Sequence, residues 1–149
     1  MLGLDTNVLV RFLIRDDETQ FERARRLIRR ETNRHEPILV SLMVVLETEW
    51  VLRSRYGLSK SEIHGVLSGL LESIDLSFED EPSLEAALFM WKDSPAEFAD
   101  CLIGARHRAL GCRATASFDA RAARLPGFVA TCAAKGSRNP LARSAALTA

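Results

Sequence analysis

The sequence predicts an α/β fold: a three-layer sandwich whose central, mostly parallel sheet of four to five strands carries helices on both faces. Three observations support this. Short uninterrupted apolar runs such as "PILVSL" alternate with longer segments of helical periodicity, and strands apolar on both faces belong in a parallel sheet covered on both sides. Helix start and stop signals punctuate the alternation. The chain has 149 residues, 47% of them apolar, which suffices for one domain with a real core and not for two.

Taken in order, Met1–Leu4 reads as a short buried strand and Val8–Arg15 as a helix ending at Asp16-Asp17. "ETQFERARRLIRRETNR" (18–34) is an amphipathic helix with Phe21, Ala24, Leu27 and Ile28 on its apolar side. A second strand is expected at 37–42, then a very apolar helix over 42–56 that Gly57 stops. Ser59 and Glu62 have capping-box spacing for a helix through about Ser73. A third strand follows at 74–78 and a helix at 82–92. Ser94, Pro95 and Glu97 combine an N-cap, a proline at the first helical position and a capping-box acid. The helix they open is expected to reach about Leu110, with Gly111 as its stop. A fourth strand (113–118), a short helix (Asp119–Arg124) and a fifth strand (127–131) complete a domain over 1–131. Residues 132–149 are small, polar and basic and read as a loosely ordered tail.

No run approaches the roughly 18 apolar residues of a membrane-spanning helix, and the first residues lack the basic region and apolar run of a signal peptide. The three cysteines, Cys101, Cys112 and Cys132, form no CxxC pair. They suit a reducing cytoplasm and read as small buried hydrophobes. Formal charge is zero, from 20 basic and 20 acidic residues, yet 17 of the basic residues are Arg and 3 are Lys. Arg gives forked contacts to phosphate or carboxylate, although a GC-rich genome produces the same bias.

Four acids stand out. Asp5 follows the first strand, at the edge where open parallel sheets gather their sites. It could equally cap the next helix, as could Thr6 and Asn7, and three cap-capable residues in a row exceed what capping needs. Glu47 has Met43, Val44, Trp50 and Val51 at helical spacing and no basic partner within a turn. It is expected to be buried, so that either a basic side chain arrives from elsewhere or a cation binds there. Glu49, by contrast, has Arg53 four residues on, a common solvent-face pair. Asp100 lies past the first turn of its helix if Ser94 is the cap, and Asp119 leaves the fourth strand, where it could also cap the short helix. Carboxylates about 4 Å apart repel by about 4 kcal/mol per pair at an effective dielectric near 20. A cluster of four therefore calls for a hard divalent cation such as Mg²⁺ or Mn²⁺. With no His or Cys in these motifs, zinc is disfavoured.

The set "LDTNVLV", "VSLMVVLETEWVL", "EFADCLIGA" and "ASFDARAARLPG" resembles the PIN domain, and most of all the VapC-type toxins of bacterial toxin–antitoxin pairs. The resemblance covers residues 1–131. It implies that Asp5, Glu47, Asp100 and Asp119 are the catalytic, metal-binding acids, with Thr6, Asn7 and Ser117 in support. Ser117 stands where the family usually has threonine and keeps the hydroxyl. The resemblance further implies Mg²⁺- or Mn²⁺-dependent cleavage of RNA by an activated water, leaving a 5′-phosphate and a 3′-hydroxyl. It also implies a cognate antitoxin and a homodimer, and the lack of a long apolar run leads us to expect no membrane partner. A metal-free ribonuclease would need a histidine acid and base, and His35, His64 and His107 all fall outside the acid motifs. Arg23, Arg25, Arg26, Arg29, Arg30 and Arg34 load one helix. Arg25, Arg26, Arg29 and Arg30 are candidates for RNA or partner contact, against a solvated face paired with Glu22 and Glu31. Trp50 could stack on a base, but its place beside Glu47 suggests core packing.

Other nucleotide and phosphate folds fit less well. A dehalogenase-like phosphatase wants an acid where Asn7 stands, a receiver domain wants an acidic pair and a late sheet lysine, and a dinucleotide fold wants its glycine loop. The remaining alternative is a non-catalytic PIN-like module that binds RNA or protein, and the intact set of four acids counts against it.

Overall fold

A computed structural model of the chain describes residues 1–131. The tail read at 132–149, Cys132 included, lies outside the described residues. The elements run β1 (Leu2–Gly3), α1 (Thr6–Leu13), α2 (Glu18–Asn33), β2 (Ile38–Val40), α3 (Leu42–Ser54), α4 (Lys60–Leu71), β3 (Leu76–Phe78), α5 (Glu81–Lys92), α6 (Phe98–Ala109), β4 (Thr115–Ser117), a 3-10 turn (Ala122–Arg124) and β5 (Phe128–Ala130). This is the expected α/β alternation. All five strands are found and all pair in parallel. The hydrogen bonding divides them, however, into a three-stranded ladder β1-β2-β3 and a pair β4-β5 rather than one sheet of four to five strands. The strands are only two or three residues long. Both residues of β1 are registered on β2, Leu2 with Ile38 and Gly3 with Leu39, which leaves little backbone to extend a ladder on its other edge.

Parallel strands need crossovers; in the three-stranded ladder each crossover is a pair of helices, α1-α2 and then α3-α4, whereas β4 and β5 are joined through the 3-10 turn. Ile38 and Val40 of β2 are completely buried and Leu39 between them is half-buried, so β2 is covered on both faces. α2 packs on β2, α4 on β3, and α5 lies along α6. The core joins Leu9, Ile28, Val45, Leu52, Ile63, Leu84, Trp91, Phe98 and Leu102. Trp91 and Phe98 meet with ring centroids 5.2 Å apart. Cys101 is buried among these residues as expected, whereas Cys112, just past the end of α6, is exposed.

Local signals set the helix ends. Ser59 and Glu62 make a reciprocal capping box on α4. Two side chains serve the start of α3: Ser41 accepts from the Val44 N–H at 3.3 Å and Glu79 from the Leu42 N–H at 2.9 Å. Gly57 and Gly111, past α3 and α6, take positive φ of 64° and 84°. The start of α6 differs from the sequence reading. The Ser94 hydroxyl accepts from the Ala96 N–H at 3.0 Å, closing a turn two residues long instead of capping a helix. α6 begins at Phe98 with Glu97 as its N-cap, which puts Asp100 in the first turn.

Gly104 is where α6 meets β5. A Cβ at this position would lie 2.3 Å from Phe128 Cε2. Gly104→Ala is therefore expected to displace the ring and destabilise the fold by about 1–3 kcal/mol. Gly65→Ala, in α4 with nothing within 4 Å of its Cβ position, should be neutral or stabilising by up to about 1 kcal/mol. Thermal melts of the two variants check this, and equal midpoints would contradict the packing of Phe128 against α6.

Candidate active site

β1 ends at Gly3, and Leu4 carries the chain into the start of α1. Asp5 is the N-cap residue by backbone geometry, with φ −82° and ψ 155°, but its side chain makes no capping hydrogen bond. Thr6 is buried and its hydroxyl donates across to Glu47 Oε2 of α3 at 2.5 Å. Asn7 is exposed and lines a groove between α1 and α2. Capping is thus not what the Asp5 and Thr6 side chains do.

The structure exchanges the expected positions of the two glutamates on α3. Glu47 is exposed, whereas Glu49 is 5% exposed and receives Arg53 Nε at 2.9 Å. The i,i+4 pair forms as read, but with its acid buried rather than on a solvent face. Trp50 is likewise 57% exposed instead of packed in the core. The helix period explains all three results. With about 100° per residue, Met43, Trp50 and Ser54 lie within roughly 60° of Glu47, while Val45, Glu49 and Leu52 lie on the far side. The stripe that carries Glu47 therefore faces outward and includes two large apolar side chains, Met43 at 76% and Trp50 at 57% exposure. Apolar neighbours were a poor guide to burial here.

Asp100 lies where it feels the charge of Asp119. Burial first, and then repulsion from Asp119 and Glu97, push the Asp100 carboxyl above its ordinary range, against a backbone hydrogen bond at Glu97 and the charge of Arg121. Asp119 leaves β4 and caps the 3-10 turn as its bland reading allowed. Its Oδ1 accepts from the N–H groups of Arg121 at 2.7 Å and Ala122 at 2.9 Å, and its own N–H donates to Ser117 Oγ at 3.0 Å. These N–H groups, with the nearby guanidinium, hold the Asp119 carboxyl below its ordinary range. The other oxygen, Oδ2, has Arg121 Nη2 at 3.8 Å. Arg121, which sequence reasoning passed over, is thus the cation felt by both acids. Its only signal in the sequence is its place two residues after Asp119.

Of the four acids, Glu47 is tied to the start of α1 through the Thr6 hydroxyl next to Asp5, and Asp100 feels the charge of Asp119; α3 and α6, which carry Glu47 and Asp100, touch. Among the described residues no three acids, histidines or cysteines stand close enough to form a metal-binding group. The donor set itself is carboxylate and hydroxyl oxygen, which fits Mg²⁺ or Mn²⁺ rather than zinc. His64 donates to the Leu88 carbonyl at 3.0 Å and His107 pairs with the Thr115 hydroxyl at 2.9 Å, so both rings are engaged within the fold. Of the arginines on α2, Arg26 and Arg30 line the groove shared with Asn7, together with Arg23, whereas Arg25 and Arg29 are not in its lining and Arg25 pairs with Glu22.

Among the described residues no helix is long and apolar enough to cross a membrane. Residues 3–127 match the family model of the PIN domain. The chain is also similar to a VapC ribonuclease of Aquifex aeolicus (strain VF5), at 26% identity over 125 residues that cover 84% of this chain and 91% of that protein. With its α/β alternation, its parallel strands and this match over most of its length, the chain belongs to the PIN-domain family.

Proposed function

We propose that this protein is a metal-dependent endoribonuclease, the toxin of a type II toxin–antitoxin pair, acting in the cytoplasm on RNA phosphodiester bonds. The observation that supports this most is the start of α1. Asp5 occupies the N-cap position without a capping bond, and Thr6 spends its hydroxyl on Glu47 of another helix. Residues suited to capping are thus turned to a carboxylate site. Similarity to the VapC ribonuclease supports the substrate class and the antitoxin partner.

Asp5, Glu47, Asp100 and Asp119 would hold Mg²⁺ or Mn²⁺, which supplies a water of lowered pKa and a counter-charge for the phosphate. The chain's own groups set up the site. Thr6 orients Glu47, and Ser117 with the backbone N–H groups of the 3-10 turn fixes Asp119, leaving Oδ2 with, among the described residues, only the Arg121 guanidinium at 3.8 Å and open to a metal. Arg121 presents a guanidinium fork beside it, suited to a phosphate. The outward stripe of α3, with Met43 and Trp50 beside Glu47, and the exposed Phe89 and Ile103 are apolar surface that an antitoxin or a second copy would cover.

The deciding experiment is cleavage of single-stranded RNA by the purified full chain with Mg²⁺, Mn²⁺ or excess chelator. Cleavage is expected only with the metals, and undiminished activity in chelator would refute the proposal. No cleavage under any condition would favour the non-catalytic binding module. Asp5→Asn should be nearly silent if Asp5 is a cap, because Asn caps as well. As a metal ligand, its loss should lower cleavage by orders of magnitude and shrink the rise in melting temperature that Mg²⁺ gives by mass action. Asp100→Asn adds a test in chelator. A carboxyl held above its ordinary range contributes least once ionised, so its favourable contribution is complete below the ordinary carboxyl pKa and lost as pH rises through the raised value. The variant should therefore melt above the wild type at pH 7, and the gap should close below about pH 4. In cells, expression should slow growth and Asp100→Ala should relieve it.

A further inference from the structure

A groove of about 680 Å³ lies between α1 and α2. Arg23, Arg26 and Arg30 line it from α2 and Asn7 and Arg11 from α1. Its apolar base is small, being Val8, Ala24 and Leu27. No Asp or Glu is in its lining. The spacing of the three α2 arginines, i, i+3 and i+7, is one stripe of a helix and spans roughly 10 Å along its axis. Two of them are uncommitted. Arg11 is held by Asp16, Gln20 and Tyr56, and Arg30 donates to Glu31 at 2.9 Å, whereas Arg23 and Arg26 make no ion pair among the described residues. The groove starts beside the candidate active site, since Asn7 follows Asp5 and Thr6 directly.

We propose that this groove seats the phosphate backbone of the substrate strand to one side of the cut, with Arg23 and Arg26 on successive phosphates. The proposal rests on the nuclease reading and adds to it a second contact region, and with it a minimum length of substrate. Charge and shape favour a nucleic acid strand over a protein segment. A row of forks with no interleaved acid matches a regular polyanion, because guanidinium binds phosphate oxygens in pairs. A docked amphipathic helix would need deep apolar pockets for its anchors, and three aliphatic residues at the base provide little of that.

The test compares the full-length wild type with two double variants that remove equal charge, Arg23→Ala/Arg26→Ala in the groove and Arg25→Ala/Arg29→Ala outside it. Binding of labelled single-stranded RNA is followed by fluorescence anisotropy in excess chelator from 50 to 200 mM salt. Each phosphate contact on a single strand contributes about 0.7 to the slope of log K against log salt. The groove variant should therefore lose about 1.4 from the slope, and the outer variant should keep the wild-type slope. Arg23→Lys/Arg26→Lys should also keep it, since the charges remain. With Mn²⁺ the groove variant should raise KM on a long strand and leave a trinucleotide or tetranucleotide unaffected. An unchanged slope, or equal losses from the two alanine pairs, would overturn the proposal. So would an unchanged RNA slope accompanied by lost binding of an acidic peptide, which would assign the groove to a protein. Circular dichroism melts of all variants exclude misfolding as the cause. Failure of the nuclease reading is a separate result, absence of cleavage by the wild type with Mn²⁺, and leaves the slope comparison readable.

Discussion

The hydrogen bond from the Thr6 hydroxyl to Glu47 joins the first turn of α1 to the second turn of α3 and thereby sets the rotation of α3 about its own axis. Once Glu47 faces α1 at the carboxyl end of β1, the helix period leaves no choice for the rest. Val45, Thr48, Glu49 and Leu52 must turn inward, and all four are buried. Glu49 enters the protein as an acid, so it needs a cation that can follow it, and Arg53 one turn later supplies the fork at 2.9 Å while its own side chain stays half-exposed. The pairing of Glu49 with Arg53 is in this sense a consequence of where Glu47 points. Removing Arg53 would strand a buried carboxylate, which is the damaging way to break such a pair.

Much of the architecture was legible because its signals are local. The capping box of Ser59 and Glu62, the glycine stops at Gly57 and Gly111, and the apolar run of β2 each act within a few residues, and each is found where the sequence put it. The start of α6 was less legible because Ser94, Pro95 and Glu97 satisfy two descriptions at once. They fit a helix start, and equally a short serine turn that delivers the chain to a helix beginning at Phe98. The difference bears on chemistry, since it moves Asp100 into the first turn, where the helix dipole favours a negative charge. Burial acts in the opposite direction, and the carboxyl is held above its ordinary range.

The candidate site was legible as a set of residue types but not as an environment. Asp5 and Asp119 were picked out for their place after strands and Asp100 for its place on its helix, and the reasoning for Glu47 relied on burial among apolar neighbours with no basic partner within a turn. Its neighbours Met43 and Trp50 are themselves exposed. An apolar side chain predicts burial only when nothing else has claim on its surface, and large exposed apolar groups in company mark surfaces that meet a partner. The same property that misdirected the reading of burial thus carries information about association. Arg121 was passed over, and Arg23 was named on its helix but left out of the candidate contacts, for a different reason. In a chain with 17 arginines, type alone does not single one out, and only the turn after Asp119 and the groove between α1 and α2 do so.

Like charges brought near one another are tolerated only if they are provided with something to lean on, and this chain provides for three of the four acids, each differently. Glu47 has a hydroxyl from another helix, and Asp119 has two backbone N–H groups and a guanidinium at longer range. Asp100 has the start of its own helix, and burial makes its ionisation harder. At about 4 Å, two bare carboxylates would repel by about 4 kcal/mol at an effective dielectric near 20, more than one neutral hydrogen bond returns. The donors present can therefore steady these three acids singly but cannot by themselves draw all four into mutual contact. They are also weak and local: a hydroxyl and two amides that leave the second oxygen of each acceptor unclaimed, and one guanidinium held at 3.8 Å rather than in a tight fork. A group with greater charge density than any of these can recruit those oxygens without unmaking the fold, because Val45 and Leu52 of α3 and Phe98 and Leu102 of α6 anchor those helices in the apolar core.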